Sequence, residues 1–141
     1  MKRTASAVWQ GDLKTGKGSL SSASGVLKST PYSFATRFGD TPGTNPEELI
    51  AAAHAGCFTM ALSAQLAGAG VTAERLETTA TVSMEKLDAG WTITAVHLDL
   101  KAKIPGASRE AFEIATAEAK ANCPVSRVLN AKITMTATLE A

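Results

Sequence analysis

The sequence predicts an α+β fold in which antiparallel sheets pack around one long, buried central helix. Three observations predict it. Residues 49–73 carry no charged side chain at all. Leu76, Thr78, Ala80, Val82 and Met84 alternate with Glu77, Thr79, Thr81, Ser83 and Glu85, which is the period of a half-buried strand. The candidate elements are segregated rather than interleaved: three strands, a helix, two strands, two helices and a last strand.

The first strand covers residues 4–9, with Ala5, Ala7 and Trp9 on one side. Residues 17–22 and 31–38 are further short strands between Gly- and Ser-rich turns. Gly39-Asp40-Thr41-Pro42-Gly43 is a loop. Thr44 or Asn45 can cap the helix that follows. Pro46 suits its first turn, and Glu47 and Glu48 sit near the positive end of its dipole. The helix should run from about residue 46 to the Gly68-Ala69-Gly70 stop.

Asp88-Ala89-Gly90 turns the chain into a return strand. Ile93 and Ala95 hold one parity there, and Val96, Leu98, Leu100, Ala102 and Ile104 hold the other, so a β-bulge is expected near Ala95-Val96. Ser108 can cap a second helix over residues 109–121, and Cys123-Pro124 opens a short helical turn to residue 129. The last strand faces Ile133, Met135, Ala137 and Leu139 inward. No internal repeat or linker interrupts residues 1–141, which read as a single domain.

Composition narrows the function. Hydrophobic residues make up 45% and charged residues 19%, a globular balance. A net charge of +1 with no basic cluster argues against nucleic acid as a partner. The uncharged helix is long enough to raise a membrane span, but it is mostly Ala, Gly, Ser and Thr, and His54 and Gln65 interrupt it. It therefore reads as a core helix, with no membrane partner. No apolar run follows the basic Met1 to Arg3, which places the protein in the cytoplasm. Cysteines in that compartment are more often free, catalytic or metal-bound than a structural staple.

The chemistry centres on those two cysteines. Cys57 lies midway along the helix, on a face with Ala53, Met60, Ala61 and Ala64, where it could be a small core hydrophobe. Cys123 starts a short helix, where the amides of Val125 and Ser126 can stabilise a thiolate. Local physics alone nominates Cys123 as the more acidic thiol. Arg37 ends an apolar strand, and Glu47 is equally explained as a first-turn dipole residue. His54 lies three residues before Cys57, so both can face one site, whereas His97 falls in a polar run and reads as solvated. Together with the cysteines they meet a zinc count, but the doubled short pairs of structural zinc sites are missing.

The run Gly43-Thr44-Asn45-Pro46-Glu47-Glu48-Leu49-Ile50-Ala51-Ala52-Ala53-His54-Ala55-Gly56-Cys57-Phe58, with Asn122-Cys123-Pro124-Val125-Ser126 later, resembles the OsmC and Ohr family. These are the osmotically inducible protein C and organic hydroperoxide resistance proteins. Trp9-Gln10-Gly11-Asp12, Gly16-Lys17-Gly18 and Pro31-Tyr32-Ser33-Phe34 extend the likeness over almost the whole chain. The OsmC branch is the closer match. The turn Lys14-Thr15-Gly16-Lys17-Gly18 lacks the arginine that the Ohr branch carries there, and Arg37 matches the OsmC position instead.

The resemblance implies a thiol-dependent peroxidase acting on organic hydroperoxides, and less well on hydrogen peroxide. It implies an intertwined two-fold homodimer with sites at its interface. It makes Cys57 the peroxidatic cysteine and Cys123 the resolving one, which reverses the local ranking of the thiols. It adds Arg37 and Glu47 to the catalytic set. It implies no cofactor beyond an external dithiol reductant, for which the lipoyl groups used by the Ohr branch are the precedent.

In this reading the Cys57 sulfenic acid condenses with Cys123 to a disulfide, and Phe58 and Met60 supply the apolar substrate-binding surface. Rival readings are a non-catalytic redox sensor or stress-induced binding protein, and a structural dimer with inert cysteines. Glu47 and Cys57 stand ten residues apart on one helix, about 15 Å along its axis. The expectation is therefore that antiparallel helices cross near Ala52 and that the partner supplies Glu47.

Overall fold

The computed structural model describes residues 1–140, which form two compact units, residues 1–49 and residues from Ile50 onward. In the first unit β1 (Ala5–Gln10), β2 (Lys17–Ser22) and β3 (Thr30–Tyr32) form an antiparallel sheet in chain order. The expected third strand of residues 31–38 is cut short. Ser33 caps a five-residue helix, α1 (Phe34–Phe38), through a capping box: Ser33 Oγ accepts from the Thr36 amide, and Thr36 Oγ1 accepts from the Ser33 amide. An alternation rule reads Tyr32, Phe34 and Phe38 as strand residues, but the reciprocal cap decides for helix.

The long helix α2 (Pro46–Gly68) begins as its sequence requires. The side chain of Asn45 accepts from the Glu48 amide at 2.8 Å and donates to the Thr36 carbonyl at 3.3 Å. The preceding Gly43 adopts φ +153°, and a Cβ there would lie 2.7 Å from Thr36 Cγ2, so the approach needs glycine.

From Ile50 onward, β4 (Arg75–Leu87), β5 (Gly90–Lys103) and β6 (Lys132–Glu140) form the second sheet. The β4–β5 register slips where Ser83 faces Ala95 and Met84 faces Ile93. Thr94 is the extra residue, one position from the bulge that the parity flip predicts. The expectation of purely antiparallel sheets fails at one pair, because β6 runs parallel to β5. Parallel neighbours need a crossover, and α3 (Arg109–Asn122) and α4 (Pro124–Val128) supply it.

The core of this unit gathers Phe58, Leu62 and Leu66 of α2, alternate residues of β5 from Val96 to Ala102, and Phe112, Ala115 and Ala119 of α3. By length and a mean hydropathy of 1.4, α2 could cross a membrane, but its Phe58, Leu62 and Leu66 are committed to this core. The helix is not buried all round within one chain. His54, Phe58, Leu62 and Leu66 form its buried stripe at i, i+4 spacing, while Ala52, Ala53, Gly56 and Met60 remain exposed.

Candidate active site

Cys57 and Cys123 come from α2 and from the α3–α4 junction, and the fold makes them neighbours. Both are free thiols; Cys57 is half-buried and Cys123 is 1% exposed. Burial pushes the Cys57 thiol above its ordinary range. The backbone N–H of Val125 donates to Cys57 and draws it back down, and the adjoining side chain of Cys123 raises it again. Cys123 ends α3 and caps α4, and its sulfur accepts from the Ser126 amide at 3.4 Å. The two amides expected to serve Cys123 are therefore divided between the thiols: Val125 serves Cys57 and Ser126 serves Cys123.

His54, on the same helix, faces the Cys123 side of the pair. Fully buried, it places Nε2 2.8 Å from Ser126 Oγ, and that hydroxyl lies 3.1 Å from Cys123 Sγ. Desolvation holds the imidazole below the ordinary histidine range and so favours its neutral form. His97 is half-buried rather than solvated, with its ring nitrogens bonded to the hydroxyls of Thr134 and Thr136 on β6.

Arg37 and Glu47 meet in the first unit. The Arg37 Nε and Nη2 donate to Glu47 in a fork, with Nη2 2.7 Å from Oε1. Glu47 is the more enclosed partner, with a side chain 12% exposed against 38% for Arg37. Such a fork fixes a guanidinium plane far better than a single contact. Arg37 also borders a cavity of about 290 Å³ lined by Trp9, Leu13, Tyr32, Ser33, Phe34 and Phe38. The Asp12 carboxylate, accepting from the Thr15 amide at 2.6 Å and hydroxyl at 2.7 Å, fixes the turn that carries Leu13. This aromatic lining escapes a reading of the sequence, because its members are scattered over three elements.

Phe58 is 0% exposed within the core and has no surface to offer a ligand, whereas Met60 is 77% exposed on the open face of α2. The two residues nominated together for substrate binding thus lie on different faces of one helix.

Two neighbouring thiols on an α+β scaffold, each served by a backbone amide, define a paired-cysteine site on an OsmC-like fold. The chain belongs to the OsmC-like family, whose model, described as OsmC-like protein, matches residues 38–138. It is 53% identical over 129 residues to Peroxiredoxin OsmC of Escherichia coli (strain K12), covering 92% of this chain and 90% of that protein. The Peroxiredoxin OsmC of Shigella flexneri matches with the same identity and coverage.

Among solved structures, an organic hydroperoxide resistance protein from Elizabethkingia anophelis matches with a TM-score of 0.76 and 25% identity, covering 99% of both chains. An OsmC-like protein of unknown function from Vibrio cholerae gives a TM-score of 0.79 at 16% identity, over 98% of this chain and 99% of that one. That last likeness bears on the fold alone.

Proposed function

We propose that this chain is a thiol-dependent peroxidase that reduces organic hydroperoxides, and less well hydrogen peroxide, to alcohols or water. The observation that carries this reading is the half-buried Cys57 beside the enclosed Cys123. A peroxide can reach the first sulfur, and the second waits next to it. The names of the 53% identical relatives support the same chemistry.

The cycle has three steps. The Cys57 thiolate attacks one peroxide oxygen; the O–O bond breaks, the alkoxide takes a proton and leaves as the alcohol, and Cys57 becomes a sulfenic acid. Cys123 displaces the sulfenic oxygen as water, forming the Cys57–Cys123 disulfide. An external dithiol, of which a lipoyl group is the candidate, reduces the disulfide by exchange. Arg37, oriented by Glu47, stabilises the Cys57 thiolate and polarises the peroxide. The cavity beside Arg37 takes the alkyl part against Trp9, Tyr32 and Phe38. That assigns the apolar subsite to the first unit in place of Phe58.

The working unit is a two-fold homodimer in a reducing compartment such as the cytoplasm. The small, exposed face of α2, at Ala52, Ala53 and Gly56, lets two copies of the helix approach closely. In an antiparallel crossing Glu47, with the Arg37 it holds, stands level with the partner's Cys57.

Steady-state consumption of cumene hydroperoxide by catalytic protein with dihydrolipoamide tests the reading. A peroxidase turns over many equivalents, with a larger kcat/KM for cumene hydroperoxide than for hydrogen peroxide. A redox sensor stops at one equivalent per site, and that result would refute the proposal.

A further inference from the structure

One buried polar chain is left over by the cycle. Cys123 is sealed from solvent, so water cannot collect the proton that its thiol must lose. Among the described residues, the one hydroxyl bonded to the sulfur is Ser126 Oγ at 3.1 Å, and that hydroxyl lies 2.8 Å from His54 Nε2. His54 heads the buried stripe that continues with Phe58, Leu62 and Leu66, where an apolar side chain would serve packing better. Its Nδ1 is buried and has no hydrogen-bond partner among the described residues, a cost that packing does not offset.

We propose that His54 and Ser126 form a reversible proton relay dedicated to Cys123, which lets this enclosed thiol act as resolving nucleophile and as leaving group. The proposal rests on the assignment of Cys57 as the oxidised thiol and Cys123 as its resolver. In the reduced protein the Cys123 S–H donates to Ser126 Oγ, and the Ser126 hydroxyl donates to Nε2. As Cys123 attacks the Cys57 sulfenic acid, the S–S bond forms and the S–O bond breaks. The thiol proton moves to Ser126 Oγ while the Ser126 proton moves to Nε2.

Nδ1 offers no onward path, and desolvation opposes a lasting imidazolium. The proton therefore returns through Ser126 to the departing hydroxide, and one water leaves. When an external dithiol later breaks the disulfide at Cys57, the Cys123 thiolate accepts from both the Ser126 amide and its hydroxyl. A proton from the second thiol of the dithiol then restores the starting state. His54 and Ser126 do not touch the peroxide in this scheme, and Ser126 meets only the hydroxide that leaves the Cys57 sulfur; they position and discharge Cys123.

The test follows each step separately in the full-length protein after one equivalent of tert-butyl hydroperoxide, with rapid quenching. Dimedone trapping measures Cys57 sulfenic acid, and non-reducing peptide mapping measures the disulfide. In Ser126→Ala and in His54→Leu, the rate of disulfide closure relative to sulfenic acid formation should fall about tenfold or more. Ser126→Thr, which keeps a hydroxyl, should recover most of that loss, a recovery that a packing role does not predict. Closure at the wild-type ratio in Ser126→Ala, or a Ser126→Thr variant as slow as Ser126→Ala, would overturn the relay. A wild-type protein that never forms the Cys57–Cys123 disulfide would instead overturn the functional reading on which the relay rests.

Discussion

Cys57→Ser consumes no hydroperoxide above the uncatalysed rate, a loss of at least about a thousandfold in turnover. A serine hydroxyl at this position has no accessible anion and no two-electron oxidation to a sulfenic acid. Cys123→Ser behaves differently. Its Cys57 still oxidises at the first encounter, but the sulfenic acid persists and, lacking a resolving partner, over-oxidises under excess peroxide. Mass spectrometry separates the two variants. Cys57→Ser stays at its reduced mass, while Cys123→Ser gains one oxygen and then more. Turnover retained by Cys57→Ser, with no first oxidation in Cys123→Ser, would mean that the roles of the thiols are exchanged.

Arg37→Ala slows oxidation of Cys57 at neutral pH by about tenfold to several hundredfold, and it shifts the pH–rate profile. The surroundings of Cys57 within its own unit leave the thiol above its ordinary range, with burial as the dominant cause and one amide in opposition. An added cation lowers a neighbouring thiol by about 1–3 pH units. With Arg37 beside it, Cys57 forms its thiolate, and the rate reaches its plateau, at a lower pH than in the variant. Without Arg37 the same plateau is approached only at higher pH, so the deficit is largest at neutral and acid pH and shrinks as the pH rises. Part of the loss is recovered because a more basic thiolate is intrinsically the better nucleophile.

Mixing decides which chain supplies the arginine. Arg37→Ala chains, which are slow, and Cys57→Ser chains, which are inactive, should on subunit exchange regain about a quarter of the wild-type activity, because half of a random mixture is heterodimer with one intact site of two. A mixture no more active than its parents would place Arg37 with the Cys57 of its own chain.

Much of this arrangement is legible in the sequence where local rules act alone. The alternation of residues 76–85 marks β4, and the parity change on the return strand locates the bulge to within one residue of Thr94. Ser108 and Asn45 cap the helices that they were expected to cap. What escapes is set by competition or by distance. The residues of α1 have the pattern of a strand until the Ser33–Thr36 box claims them. Alternation on β6 fixes which side chains face inward but carries no sign of its direction, so the parallel pairing with β5 stays hidden. Phe58 and Met60 look equivalent as apolar neighbours of Cys57, and only the full i, i+4 stripe assigns one to the core and the other to the open face. The bond between His54 and Ser126 spans 72 residues, and no local signal announces it.

The central claim is that Cys57 and Cys123 of one chain act as a single redox pair. The direct measurement is a single turnover: one equivalent of cumene hydroperoxide per chain, followed by alkylation of the remaining thiols and non-reducing peptide mapping. The account predicts loss of both free thiols, one intrachain Cys57–Cys123 disulfide per chain, and full recovery of the thiols with excess dihydrolipoamide. Two thiols still titratable after the peroxide has been consumed, or a disulfide joining different chains, would contradict it.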